Sequence, residues 1–133
     1  MSGPLPFLGP AWLDRRRDLL APLDVRGVPD GLRVARTVAK APGGDVTWVD
    51  RYEGGHLVAS EVGAGDADIT LTTPYADAVR ILAGELGENS AYMQGLTKTA
   101  GVTGPLLSLL AHSQTDGHQA ARAELLAATA FED

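Results

Sequence analysis

Three histidines and two carboxylates within apolar segments are the side chains of this sequence that could carry out chemistry. No two of His56, His112 and His118 stand four residues apart, the helical spacing at which two imidazoles can share a metal ion. Asp50 and Glu61 lie in strand-like segments, where a buried carboxylate could abstract a proton from a steroid-like ligand. An edge strand or a bulge would turn both carboxylates to solvent, and we expect that arrangement. The pattern therefore predicts surface or capping histidines, no metal site and no catalytic residue.

The common motifs for catalysis and nucleotide binding do not occur in the chain. It contains no G-x-x-x-x-G-K-[ST], no G-x-G-x-x-G after a strand and no G-x-S-x-G around a serine, and we predict no cofactor. The absence of cysteine excludes disulfides, thiolate zinc sites and a cysteine nucleophile. The net charge of −6 argues against a nucleic-acid partner, which needs a concentrated basic face. The one basic cluster, Arg15 to Arg17, lies between Asp14 and Asp18 and is typical of a solvated helix face.

Length and composition indicate one globular domain spanning residues 1–133. With 44% hydrophobic and 21% charged residues, the chain has neither the low hydrophobicity nor the high charge of a disordered protein. The start, MSGPLPFLGPAW, lacks the basic residues and apolar region of a signal peptide, and no apolar run reaches about 18 residues. We therefore expect a soluble, cytoplasmic protein without stable membrane insertion.

The elements that must position any site follow an α+β order. Pro10 suits the first turn of a helix, and three strands then follow at short spacing between glycine turns, at 32–40, 45–53 and 56–62. The clearest strand is 67–73, in which Ile69 and Leu71 alternate with polar residues. These strands predict an antiparallel meander and a single, mostly antiparallel sheet covered on one face.

The second half of the chain adds helices and one more strand. Thr73 is the expected N-cap of a helix that ends at Gly87, and 96–100 is the expected last strand. A leucine-rich helix begins near residue 104. Asp116 and Gln119 are the expected capping box of a final helix over about 117–130.

The segment 91–111, AYMQGLTKTAGVTGPLLSLLA, is unusually apolar. Lys98 is its single charged residue, and its leucines at 106, 107, 109 and 110 go nearly all the way round a helix. Such a helix is buried on more than one side, either as ordinary core or as one side of a pocket for an apolar ligand. Composition and spacing favour ordinary core.

Residues 67–111 resemble the second half of the sterol carrier protein type 2 domain. The matching features are Asp68-Ile69-Thr70, Ala91-Tyr92-Met93, the Gly95, Lys98 and Gly101 spacing, and the leucines 106 to 110. FLGPAW at 7–12 is similar to the helix entry of bacterial stand-alone members, and Trp48 fits the second strand of the meander. Two positions depart from the family pattern, since Leu96 replaces a basic residue and Val102 replaces Asp or Asn. Both make the region less polar, so the ligand preference need not match that of the family.

This resemblance implies a five-stranded sheet with helices on one face, enclosing an apolar tunnel that carries sterols, fatty acids or acyl-coenzyme A without covalent chemistry. The acidic net charge argues against acyl-coenzyme A, whose phosphates need a basic mouth. Gln94 could orient a ligand hydroxyl or carboxylate, or could only hydrogen-bond a helix end. Mapped by strand parity and helical phase, the expected ligand contacts are Trp48, Ile69, Leu71, Leu82, Met93, Gln94, Leu96, Leu106, Leu109, Leu110 and Leu125.

Three classes of function remain open on the sequence. A non-enzymatic carrier of a hydrophobic small molecule is the leading hypothesis, and it predicts no convergent polar cluster inside the tunnel. An isomerase or cyclase of steroid-like or polyketide-like ligands would need Asp50, Glu61 or His112 in the pocket with a raised pKa. An accessory domain would dock onto a partner enzyme and have a collapsed pocket beside an exposed apolar patch. A homodimer also remains open.

Overall fold

The structure is a computed structural model that describes residues 4–131. Its elements, in chain order, are β1 (Leu5–Pro6), α1 (Pro10–Leu20), β2 (Leu32–Ala39), β3 (Val46–Glu53), β4 (His56–Val62), β5 (Ile69–Pro74), α2 (Tyr75–Leu82), α3 (Glu88–Met93), β6 (Lys98–Gly101), α4 (Thr103–His112), α5 (Asp116–Ala127) and β7 (Thr129–Ala130). This order confirms the predicted α+β class.

The main sheet has five strands in the order β4-β3-β2-β5-β6. The meander of β2, β3 and β4 is antiparallel, as predicted, and β6 pairs antiparallel with β5. Parallel pairing occurs where β5 lies beside β2, with Val34 opposite Ile69. The five-stranded, mostly antiparallel sheet is therefore confirmed. A second, two-stranded sheet joins β1 to β7 and was not predicted.

Alternation along the strands separates a covered face from an open face. In β5, Ile69 and Leu71 are buried whereas Thr70 between them is exposed, because successive strand residues point to opposite sides. The covered face packs against the helices, with α1 against β4 and α2 against β2 and β5. None of the helices within residues 4–131 is long and apolar enough to cross a membrane.

The helix that follows β5 begins one residue later than predicted. Its N-cap is Pro74, which forms no side-chain cap hydrogen bond, and the predicted N-cap Thr73 is still part of the strand. The Thr73 hydroxyl is instead within hydrogen-bond distance of the Thr97 hydroxyl, at 2.9 Å. A residue just before β6 thus takes the side chain that the sequence assigned to the helix.

The capping box predicted for α5 is also wrong. The N-cap is Thr115, whose Oγ1 accepts from the backbone N–H of His118 at 3.3 Å. Gln119 does not reach back to the cap, because its Nε2 donates to the carbonyl oxygen of Ser113 at 2.7 Å. The helix therefore begins at Asp116, and Gln119 joins its first turn to the end of α4.

Gly101 is the glycine on which the pairing of β6 with β5 depends most directly. Its φ is +107°, a region that L side chains rarely adopt. A Cβ at this position would also overlap the backbone carbonyl oxygen of Asp68. The close approach of these two strands therefore requires a residue without a side chain.

Two apolar clusters form the core on the covered face of the sheet. One is centred on α4 and consists of Val25, Leu32, Val34, Tyr52, Leu57, Ile69, Leu71, Leu106, Leu109 and Leu110. The other is centred on α1 and consists of Leu8, Trp12, Leu13, Val38, Ala41, Trp48, Leu82 and Leu125. The space between the two clusters is where the candidate site lies.

Candidate ligand-binding site

A cavity of about 170 Å³ lies between the two apolar clusters and is lined by side chains from both. Engineered apolar cavities of roughly 150 Å³ hold a benzene molecule, whereas drug-sized ligands occupy pockets of roughly 300–1,000 Å³. In this conformation the cavity accommodates part of an extended lipid, and a whole lipid requires its lining to move. The apolar tunnel implied by the family resemblance therefore stays a prediction.

Several of the residues predicted to contact a ligand line this cavity, and they come from β3, β5, α2, α4 and α5. They are Trp48, Leu71, Leu82, Leu109, Leu110 and Leu125. Trp48 and Leu71 lie buried in the sheet, and the four leucines lie on the helix faces that border the cavity. Whether they contact a ligand stays a prediction.

The other predicted contacts lie away from the cavity lining. Ile69 and Leu106 are buried in the α4-centred cluster, Leu96 is half-buried, and Gln94 is exposed. Met93 is 73% exposed. Their contact with a ligand also stays a prediction.

The neighbour of Met93 lines the cavity in its place. Tyr92 belongs to the cavity lining, and Ala91 is fully buried. Because adjacent residues on a helix point about 100° apart, α3 cannot direct both Tyr92 and Met93 toward the sheet.

One side of the cavity is charged, contrary to the prediction that a carrier would contain no convergent polar cluster. We call this side the polar wall and define it by five residues from α1, β2, α3 and α5, namely Arg16, Arg36, Glu88, His118 and Arg122. Its presence means that the cavity is apolar on one side and ionic on the other.

Asp50 lies behind the polar wall and holds two of its arginines. Arg16 donates from both terminal nitrogens to the two carboxylate oxygens, at 3.0 and 2.9 Å, and Arg36 donates from Nε at 3.1 Å. Ser60 donates from Oγ at 2.6 Å. The expectation that a strand edge or bulge turns Asp50 to solvent is therefore wrong, because β3 is an interior strand and Asp50 has no exposed surface.

Burial by itself would raise the pKa of Asp50, but the charge and hydrogen bonds of Arg16 outweigh it. With Arg36 and Ser60 acting in the same direction, the pKa of Asp50 lies below its ordinary value. A buried carboxylate that acts as a base needs a raised pKa. Asp50 is therefore ionised and structural, and Glu61, the other candidate base, is exposed.

Arg16 shows that the basic cluster of α1 is not wholly a solvated helix face. It is 8% exposed, because it follows Trp12 by four residues and Leu13 by three and so shares their buried face. Its guanidinium carbon lies 5.3 Å from the centroid of the Trp48 ring, a cation–π distance. Arg17, in contrast, forms exposed ion pairs with Asp14 and Asp18, as expected of a solvated helix face.

Glu88 links the arginines to the histidines. Its Oε1 lies 3.6 Å from Nη1 of Arg36, and its Oε2 lies 3.2 Å from Nε2 of His118. Burial would raise the pKa of Glu88, but the hydrogen bond of His118 and the charge of Arg36 lower it to about 2. Glu88 therefore remains ionised far into the acid range.

The two C-terminal histidines meet at the cavity, although the sequence places them on either side of a loop. The rings of His112 and His118 stack edge to face with centroids 5.2 Å apart, and both rings line the cavity. Burial, and then the neighbouring His118, lower the pKa of His112. The prediction of surface or capping histidines is thus wrong for this pair.

Arg36 and Tyr52 keep their ordinary charge at neutral pH. Burial would lower the pKa of Arg36, but the charges of Glu88 and Asp50 raise it overall. Burial and the charge of Asp50 raise the pKa of Tyr52, so the phenol stays neutral. At neutral pH the carboxylates of Asp50 and Glu88 and the guanidinium of Arg36 therefore stay charged.

Two buried side-chain nitrogens have no hydrogen-bond partner within residues 4–131. They are Nε1 of Trp48 and Nδ1 of His118. Buried polar atoms in proteins are nearly always hydrogen-bonded, so each exception calls for an explanation. Arg122 is a related case, because it donates to the carbonyl oxygen of Leu82 and to Oε1 of Gln119 but pairs with no carboxylate of the described chain.

Sequence reasoning missed most of the polar wall, although part of it left a signal. Arg36 alternates with Val34 and Val38 in β2, a parity that places it on the covered face. Arg16 stands at helical spacing from Trp12. Glu88 left no such signal, since it begins a six-residue helix and its partners come from distant parts of the chain.

Comparison with known structures identifies the fold. No family model matches the chain, and no curated protein matches its sequence. A crystal structure of sterol carrier protein 2 matches with a TM-score of 0.70 and 21% identity over 88% of this chain and 98% of the other. A conserved hypothetical protein of Thermus thermophilus, itself suggested to be a sterol carrier protein, matches with a TM-score of 0.71 and 18% identity over 98% and 97%. The palmitated sterol-carrier-like protein SCP2L2 of Aedes aegypti matches with a TM-score of 0.63 and 17% identity over 78% and 92%.

These matches place the chain in the class of α+β proteins with a helix-covered antiparallel sheet. Within that class it has the sterol carrier protein 2 fold, as the residues in 67–111 predicted.

Proposed function

We propose that this protein binds a hydrophobic small molecule in the cavity between its two apolar clusters and carries it without altering it. The observation that supports the proposal is the position of the cavity, which lies between the two apolar clusters in a sterol carrier fold. The palmitated state of the Aedes aegypti protein with this fold adds support for a fatty acyl or related lipid ligand. Burial of each CH₂ group of such a ligand contributes about 0.8 kcal/mol, so the apolar side supplies most of the affinity.

The charges of the polar wall favour binding over catalysis. An isomerase or cyclase needs a carboxylate or histidine that can take up a proton near neutral pH. Asp50 and Glu88 have lowered pKa values, because arginine or histidine partners neutralise them. His112 also has a lowered pKa and no acidic partner to orient it among the described residues. Asp50, Glu88 and His112 are therefore poorly suited to act as a base near neutral pH.

Native mass spectrometry of the protein as purified tests this proposal. A bound lipid should appear as an added mass that denaturing extraction releases, and the emptied protein should take up palmitate or cholesterol. Ala78 lines the cavity, so Ala78→Phe should block uptake by filling the space. Ala123→Phe is the matched control, because Ala123 is exposed on α5 and the same side chain there leaves the cavity unchanged.

Other outcomes would contradict the proposal. A protein that purifies without ligand and takes up none of the added lipids is not a carrier of this kind, and the accessory docking domain then becomes the better hypothesis. Equal loss of uptake in Ala78→Phe and Ala123→Phe would place the ligand outside the cavity.

A further inference from the structure

The polar wall contains more positive than negative charge. Three arginines line the cavity, Arg16, Arg36 and Arg122, whereas Glu88 is the one acidic residue that lines it among residues 4–131. When Asp50 behind the wall is included, three arginines face two carboxylates. A partly buried charge without a counter-charge is unfavourable, so this site is electrostatically incomplete.

The wall is also rich in donors that lack acceptors. Arg36 donates to Asp50 through Nε, and Arg122 donates through Nε and Nη1, so within the described residues Nη2 of each arginine donates to no protein atom. Trp48 lies directly opposite Arg36 on the neighbouring strand, and its Nε1 is buried without a partner. Guanidinium and indole groups donate but do not accept, so no rearrangement among them satisfies these atoms.

We propose that the ligand is an amphiphile with a single carboxylate headgroup, and that this headgroup lies inside the cavity against the polar wall. The inference rests on the proposed function and narrows it to one class of ligand. Arg36 and Arg122 are the specificity-determining residues, because a guanidinium matches the two oxygens of a carboxylate in geometry and charge. Trp48 Nε1 supplies a further donor, and the hydrocarbon chain lies along the leucines of the opposite side.

A neutral ligand completes this site less well. The hydroxyl group of a sterol or a fatty alcohol brings no charge and a single oxygen, so the excess positive charge and most of the free donors remain uncompensated. Unsatisfied buried groups lower affinity more than a formed hydrogen bond raises it. The site should therefore discriminate between an acid and the alcohol of equal chain length.

Isothermal titration calorimetry with decanoate and decan-1-ol at pH 7.5 measures this discrimination, with cholesterol as a neutral ligand of another shape. We expect decanoate to bind at least ~10-fold more tightly than decan-1-ol, since hydrogen bonds to charged groups each contribute about 1.5–3 kcal/mol. Arg122→Met should lower the affinity for decanoate by about 10-fold or more, and it should change the affinity for decan-1-ol by less than about threefold. Arg122→Lys, which keeps the positive charge, should retain part of the preference for decanoate over decan-1-ol. Arg80→Met is the matched control, because Arg80 pairs with Asp77 on the exposed side of α2.

Each other result has a separate meaning. If decan-1-ol or cholesterol binds as tightly as decanoate, or if Arg122→Met weakens acid and alcohol equally, the carboxylate inference is overturned and the proposed carrier function stands. If the wild-type protein binds none of the three ligands, the proposed function itself is overturned. The wild-type comparison of acid and alcohol decides the inference even if Arg122→Met does not fold.

Discussion

Glu88→Gln should remove a pH-dependent part of the stability of this protein. In the folded state the pKa of Glu88 is lowered from 4.5 to about 2, because its partners His118 and Arg36 outweigh the effect of burial. A difference of about 2.5 pKa units at ~1.36 kcal/mol each corresponds to about 3 kcal/mol. That is a large fraction of the roughly 5–15 kcal/mol by which domains are stable.

The sign follows from proton uptake. Because the pKa of Glu88 is lower in the folded state, the unfolded state takes up its proton first as the pH falls. The stabilisation is fully present above about pH 5.5 and is lost as the pH falls toward 2. From the two pKa values, about 1 kcal/mol is already lost at pH 3.5.

Urea unfolding between pH 7 and pH 3.5, followed by tryptophan fluorescence, measures this effect. Trp12 and Trp48 are both buried and report the loss of the core. The free energy of unfolding of the wild type should approach that of Glu88→Gln as the pH falls, from a gap of about 3 kcal/mol at pH 7 to less than about 2 kcal/mol at pH 3.5. Glu61→Gln is the control, because Glu61 is exposed and its loss should change stability by less than ~0.5 kcal/mol.

This reasoning would be refuted if the free energies of unfolding of the wild type and of Glu88→Gln changed in parallel with pH. They would mean that Glu88 titrates alike in the folded and unfolded protein and is not held by the polar wall. If the difference in free energy of unfolding between the wild type and the control Glu61→Gln also narrowed as the pH falls, the effect would come from overall charge instead.

The other predictions concern the residues that hold the fold around the cavity. Asp50→Asn should cost about 3–5 kcal/mol in the free energy of urea unfolding at pH 7, because it leaves two guanidinium groups without their shared carboxylate; a loss below about 1 kcal/mol would contradict the buried ion pairs. Gly101→Ala should lower the thermal midpoint by more than about 10 °C or prevent folding, since a Cβ there overlaps the backbone of Asp68. Gly104→Ala, in α4 with open space around it, should be neutral or slightly stabilising. Similar effects of the two changes would contradict the close approach of β6 to β5. Thr115→Ala should cost about 1 kcal/mol by removing the N-cap of α5, and Asp116→Ala should cost less if Thr115 is the cap; the reverse order in urea unfolding would restore the predicted capping box.

Local patterns were sufficient to predict the main sheet. Ile69 and Leu71 alternate with polar residues, and glycine turns separate the first three strands. The alternation of a strand and its two ends can therefore be recognised from a few consecutive residues. The two-residue strands β1 and β7 lie beyond such reasoning, because each exists only through a partner more than a hundred residues away. Helix starts failed where a capping side chain found another partner, as Thr73 did with Thr97.

The polar wall was less predictable for an energetic reason. A charged side chain is rarely buried unless a partner neutralises it, so each of Arg16, Asp50 and Glu88, taken alone, is best assigned to solvent. The partners lie far apart in the chain, with Arg16 and Asp50 separated by 34 positions. Parity could place Asp50 beside Trp48 on the covered face, but only the packing of α1 over the sheet supplies the cation that permits its burial.

The nearly uncharged segment 89–115 therefore supplies only one side of the candidate site. Leu109 and Leu110 supply the apolar side of the cavity, and from Asn89 to Thr115 the sole charge is Lys98. The opposite side comes from α1, β2, α3 and α5, and there the charges are concentrated. A guest that is apolar throughout would leave that side unsatisfied, whereas an amphiphile with an anionic head can contact both sides at once. The division of charge along the chain thus corresponds to the two ends of the ligand that we propose.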